Sequence, residues 1–258
     1  MSKLNDRTGE VRTMNNRLSA KITEYHNCKN IVVTFENGEI AKTSYGKFRD
    51  GKIRCPMIVT EFDDHCEIIN PNTKTETRFL IDKDDLDLVL GLGYWSTTYY
   101  GYIHRKTNDN KAVYLHRLLM NAPTGMEVDH ESGVTTDNRK SNLRICTSSQ
   151  NKMNKIKSSR KLYTSPYKGV HWDKQSKRWK ALVNLNGKCV HQSYHHCEID
   201  AAKTYNKYAL VHHGNFAKLN VLQKCRNKSK FNQCLCFYGS YKTCTNINNG
   251  EFACLNDV

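Results

Sequence analysis

The sequence lacks a long apolar run, lacks any Cys-X-X-Cys pair, and has few acidic residues for its number of basic ones. Its most apolar stretch, Leu86 to Trp95, is short and interrupted by Asp87, so it is not a membrane span. The opening MSKLNDRTGE has no apolar core of the kind a signal peptide needs. Both absences predict a cytoplasmic protein, whose 11 cysteines are then expected to be reduced thiols. Five of these (Cys225, Cys234, Cys236, Cys244 and Cys254) fall at irregular intervals after Leu222. The segment 222–258 therefore reads as a disordered Cys-rich tail. A structural zinc site there is the lesser alternative, and none is expected.

The acidic deficit is the strongest compositional signal. Forty Lys and Arg against 25 Asp and Glu leave a formal charge of +15 over 258 residues. Hydrophobic content is low at 38%, but 14 Tyr, 8 Phe and 3 Trp argue against a collagen-like or fully disordered chain. The charge is uneven: residues 1–62 carry eleven basic and seven acidic side chains, 63–120 seven and nine, 121–163 eight and four, 164–258 fourteen and five. Basic excess on both sides of a near-neutral centre fits a polyanion held at several points; simple solubility is the bland reading.

Asn37-Gly38, set between the runs Ile31 to Phe35 and that from Glu39, signals a hairpin, so residues 1–60 read as a small β-rich module that could touch DNA. Asp82 to Asp85 suit a helix N-terminus leading into Leu86 to Leu90. Tyr99 to His104 and Ala112 to Leu115 read as strands joined by a polar turn. The basic, Ser-rich stretch around 158–165 reads as a linker. Beyond it, alternation from Val170 to Leu185, the Asn186-Gly187 turn and a strand near Lys188 to Tyr194 predict three strands. A helix from Glu198 to about His212 would carry Ala201, Ala202, Tyr205 and Ala209 on one face.

The chemistry concentrates between Val128 and Asn151. Thr147 and Gln150 form a capping box, so a helix should begin at Ser148 with Asn151 in or beside its first turn. If Val128 to His130 pairs with Leu143 to Cys146, a ββα unit presents Asp129, His130 and Asn151 together. Such a set suits phosphodiester hydrolysis: an imidazole that titrates near neutrality can deprotonate water. Carboxylate and amide oxygens suit Mg²⁺ or Mn²⁺. Arg139, Lys140 and Arg144 would flank the site as phosphate clamps, and His116, on the apolar segment Leu115 to Leu119, would buttress it.

Val128-Asp129-His130, the Arg139 to Arg144 run, Thr147 to Asn151, and the lead-in Tyr114-Leu115-His116-Arg117-Leu118 resemble the zinc-free, homing and phage branch of the HNH endonucleases. The resemblance covers roughly 80–157 and, with the scaffold ahead of it, gives a nuclease domain over 63–157; it implies His130 as general base, Asn142 as the catalytic-site Asn that ties down the long loop, and Asp129 and Asn151 as metal ligands. Asn151 stands where that family often has His; Asn154 is a weaker candidate.

A second resemblance covers about 165–221. Tyr167 to Trp172, Arg178 to Ala181, Asn186 to Lys188, Ala201-Ala202, Tyr205 and Phe216 to Asn220 are similar to the Apetala-two, ethylene-response-factor type of DNA-binding domain. It implies a three-stranded sheet laid on DNA with Lys168, His171, Trp172, Arg178, Lys180, Asn184 and Lys188 as contacts. Plant members carry arginines where this chain has His171 and Asp173, so no base preference transfers. Cys189, His191, His195, His196 and Cys197 match no zinc spacing, and strand alternation should separate them.

The expected fold is α+β and multidomain, and the expected partner is double-stranded DNA, without membrane. The leading function is a metal-dependent, site-preferring homing endonuclease of a phage or mobile element. The alternatives are a DNA-binding regulator with a decayed nuclease unit and a nonspecific packaging protein.

Overall fold

The computed structural model describes residues 6–155 and 163–222, with the strands Thr245–Ile247 and Glu251–Ala253. Several small antiparallel sheets and few helices make up the chain, which divides into two units, Met1–Ile145 and Cys146–Val258. The tail cysteines and most of the expected linker lie outside the described residues.

The first unit opens with a four-stranded meander, β1 (Val11–Thr13), β2 (Ser19–Asn27), β3 (Asn30–Phe35) and β4 (Ile40–Thr43), closed by the short helix α1 (Tyr45–Arg49). Asn37-Gly38 makes the β3–β4 turn, with Gly38 at φ +89°. Ala20, Ile22, Ile31, Val33 and Phe35 face inward onto Phe48 and Cys55.

A second sheet follows, β5 (Ile58–Glu61), β6 (His65–Asn70) and β7 (Thr77–Asp82), which sequence alternation does not reveal. In β6, Ile68, Ile69 and Asn70 are consecutively buried, so the period of two is lost there, whereas β7 keeps it. Buried Asn70 donates to the Trp95 carbonyl at 2.6 Å. Asp82 to Asp85 lead through a single 3₁₀ turn into α2 (Leu86–Gly91), whose Val89 joins Trp95, Phe79, Ile81, Ile103 and Leu115 in one core.

The expected strand over Tyr99 to His104 is instead a turn followed by a strand. β8 (Ser96–Thr97) and β9 (Ile103–Lys106) flank a loop in which Gly101 has φ +85°. The Thr98 carbonyl accepts from Gly101 N at 3.0 Å, and Thr98 Oγ1 accepts from Tyr102 N at 3.0 Å. These local bonds override the β-propensity of three tyrosines. Then come β10 (Ala112–Tyr114), α3 (Leu115–Leu119), and the two-stranded pair β11 (Glu127–His130) and β12 (Leu143–Cys146).

In the second unit α4 (Ser148–Asn154) precedes a three-stranded sheet, β13 (Val170–Asp173), β14 (Arg178–Leu185) and β15 (Lys188–His195), and helix α5 (Glu198–His213). Val170, Ala181 and Val183 meet Ala201, Ala202, Tyr205 and Ala209 across that interface. Close approach explains Gly169: at φ +70°, a Cβ there would stand 2.0 Å from the Tyr205 ring and 2.7 Å from the Leu182 carbonyl.

Candidate active site

Strand β11 carries Val128, Asp129 and His130 inward, all buried. The loop from Glu131 to Asn138 leaves β11 and returns beside the scaffold. Leu80 N donates to the Thr136 carbonyl at 3.0 Å and Asn138 N to the Leu80 carbonyl at 2.9 Å, so the loop extends the edge of β7. Asn142 closes it from inside: its Oδ1 accepts from Ser132 N at 3.0 Å and its Nδ2 donates to the Asp137 carbonyl at 2.8 Å.

His130 sits in a nest of rings. Its centroid is 5.1 Å from that of His116, nearly perpendicular to it, and 5.8 Å from that of Tyr102. Tyr102 lies 5.4 Å from His116, so the three contact one another. Asn138 Oδ1 stands 3.4 Å from His130 Nε2 while Asn138 Nδ2 donates to the Thr136 carbonyl. An amide oxygen can only accept, so this arrangement puts the imidazole proton on Nε2 and leaves Nδ1 as the nitrogen that can take one.

Burial lowers the pKa of His130, opposed by the Asn138 bond and the charges of Asp129 and Asp137. His116 is lowered to about 4, first by burial and then by His130 and Arg117. Its Nδ1 is buried without a hydrogen-bond partner. Both imidazoles are therefore neutral at pH 7. Burial, then the charge of Asp129, raises the Tyr102 phenol and keeps it neutral too.

The three basic residues beside the motif each have a carboxylate partner. Arg144 donates from Nε and Nη2 to Asp129 Oδ2 at 2.9 and 2.8 Å, with Glu131 3.5 Å from its Nη1. Arg139 forks onto Asp137 at 2.9 and 2.8 Å, which holds that carboxyl below its usual range. Lys140 Nζ reaches Asp85 Oδ1 at 2.8 Å, and its backbone N donates to Asp82 Oδ2 at 2.7 Å. Lys140 thereby braces the motif against the scaffold, while Arg144 and Arg139 pair within it. Spacing alone cannot show this, because Asp85 and Asp82 are more than fifty residues away.

Asn151 belongs to the second unit, in the first turn of α4, where Thr147 and Gln150 form the reciprocal capping box. Asn154, at the end of that helix, is buried. Sequence reasoning did not single out Tyr102, Asp137 or Asn138. An Asn and an Asp in a polar loop read as turn formers, and nothing local marks Tyr102 as the neighbour of a distant histidine.

In the sheet of the second unit, pairing sets His171 opposite Lys180 and Lys180 opposite Tyr194, so these share one face with Arg178 and Gln192. Lys180 Nζ lies 5.5 Å over the Tyr194 ring. Trp172 pairs with Trp179 on the opposite face, their rings T-shaped at 5.2 Å, and Trp179 packs on the α5 core. Lys168 turns its ammonium to the Met153 and Lys155 carbonyls. Asn184 and Lys188 are exposed beyond a register shift after Val183, at the hairpin end.

The expectation that alternation separates the histidines of β15 is corrected. His191 and His195 lie on one face, joined through Ser193 Oγ at 3.2 and 2.8 Å, because residues four apart on a strand point the same way. His191 also stacks on Tyr208, with centroids 3.4 Å apart. Among the described residues no group of three or more His, Cys, Asp or Glu could hold a metal ion. No helix among them is long and apolar enough to cross a membrane.

No curated protein and no solved structure matches the chain. The comparisons give no support to the Apetala-two-type resemblance of residues 165–221. Residues 113–153, the span from β10 through α4, match the HNH endonuclease family, so the chain carries an HNH endonuclease domain over that span.

Proposed function

We propose that the protein is a metal-dependent DNA endonuclease of homing type, cutting at a preferred site and originating from a phage or mobile element. The observation that supports this most is the buried, neutral His130 beside Asp129, with its proton directed to Nε2 by Asn138. His130 takes a proton from water through Nδ1 as that water's oxygen bonds to phosphorus. The bond from phosphorus to the leaving oxygen breaks, and the leaving oxygen takes a proton from solvent. His116 and Tyr102 hold the imidazole edge-on and keep bulk water from it. Asn142 keeps the loop, and through Asn138 the base, in place.

The donor chemistry suits a hard cation that keeps several waters and takes one or two protein oxygens, as Mg²⁺ or Mn²⁺ does. Asp129 is the carboxylate for that role, and the resemblance assigns the amide of Asn151 to it as well. When bound, such an ion supplies charge neutralisation at the phosphate and the leaving oxygen. Arg144, held on Asp129 Oδ2, then acts as the counter-charge of the ligand as well as a phosphate neighbour.

The exposed face bearing His171, Arg178 and Lys180 is the surface offered to double-stranded DNA, with Asn184 and Lys188 at its end. A nuclease domain followed along the same chain by a sheet and helix module supports the homing reading. Incubation with supercoiled DNA and Mg²⁺ should give nicks or breaks that disappear in His130→Ala and in EDTA. Full activity of His130→Ala sinks the proposal.

A further inference from the structure

The turn between β8 and β9 presents two neighbouring aromatic rings outward. Tyr99 is 82% exposed and Tyr100 69%, with rings T-shaped at 5.3 Å. Tyrosine, with an apolar ring and a polar tip, is enriched at binding interfaces. Their position is set by the nuclease motif. Gly101, next in sequence, abuts the motif loop so closely that a Cβ would lie 2.6 Å from Thr135 Oγ1. Tyr102, one residue on, has its ring 5.8 Å from His130. The turn is closed by three bonds between Thr98 and residues 101 and 102, so the tip does not adjust independently of the site.

We infer that Tyr99 and Tyr100 are a base-contacting wedge that stacks on nucleobases of the substrate strand beside the scissile phosphate. The inference rests on the nuclease reading above. The three residue steps from Tyr99 to Tyr102 span at most about 10 Å of extended chain, so the tip lies within a few nucleotides of whatever phosphate His130 serves, given a rise of about 3.4 Å per nucleotide. Every base has a π-face, so paired rings suit contact that tolerates many sequences, and aromatic side chains inserted at a base step can also open it. In this division of labour the tip sets where the strand lies against the base, and the second unit sets which site is held.

The test uses the full chain, supercoiled plasmid DNA and Mg²⁺, followed by short duplexes spanning a mapped cut. Tyr99→Ala/Tyr100→Ala should lower kcat/KM by about 5- to 150-fold, the range for loss of one stacked base. Tyr99→Phe/Tyr100→Phe should cut like the native protein, because the ring and not the hydroxyl stacks. Replacing the contacted base by an abasic nucleotide should shrink the difference between native and Ala variants. Both positions are exposed, so an unchanged melting temperature is expected. Equal cutting by the double Ala variant overturns the inference and leaves the nuclease intact; cutting by neither protein overturns the nuclease reading, and the wedge with it.

Discussion

Removing the guanidinium from the Asp129–Arg144 pair tests how the motif holds its central carboxylate. The side chains are 7% and 16% exposed, and Arg144 places two N–H donors on one carboxylate oxygen at 2.9 and 2.8 Å. Arg144→Met keeps most of the volume but leaves a buried anion without that partner. Breaking a buried pair from one side typically costs about 3–5 kcal/mol, because the surviving charge is desolvated and uncompensated. For a unit of this size that is a fall of about 10 °C or more in melting temperature, read by calorimetry in EDTA. Asp129→Asn/Arg144→Met removes both charges and should recover part of the loss. If Asp129 ligates a cation, Mg²⁺ at ten times its dissociation constant should restore about 1.4 kcal/mol to Arg144→Met. A melt of Arg144→Met in EDTA within a degree or two of the native protein refutes the reasoning, since Asp129 would then not depend on Arg144.

His116 makes the first unit pH-sensitive. Its folded pKa of about 4 lies below the ordinary 6.5, so the unfolded chain binds the proton first. Stability from this group is complete above pH 6.5 and is lost as pH falls toward about 4, by about 3 kcal/mol. Urea melts across that window should show the slope, and His116→Gln should flatten it. In the second unit Gly169→Ala puts a methyl into the Tyr205 ring and strains a positive φ. It should cost about 3 kcal/mol or more, visible as a lowered urea midpoint. A near-native midpoint would mean that α5 does not sit against the sheet at that point.

Much of the site was readable residue by residue. The Thr147/Gln150 box, the Asp129-His130 strand and the Asn37-Gly38 turn are local signals, each satisfied within a few residues, and the structure forms each one. Strand β6 was not readable from alternation, because Ile68, Ile69 and Asn70 are all buried. Tyr99 to His104 reads as a strand because tyrosine favours strands, whereas Gly101 and the Thr98 bonds make a turn of its first part and leave Ile103 and His104 in β9. The basic flank read correctly as charge but not as partnership, since the carboxylates that engage Lys140 come from a segment far back in the chain.

The sequence by itself determined the basic balance, the strands β11 and β12 and the capped start of α4, because those depend on residue type and on spacings shorter than a hairpin. Only the tertiary structure decided that His116 and Tyr102 enclose His130, that Asn138 sets its proton, and that Arg144 faces Asp129. Those relations join the turn before β9, α3, β11 and its following loop, and β12, and burial at their meeting point, not local propensity, gives the imidazole its place and keeps it neutral.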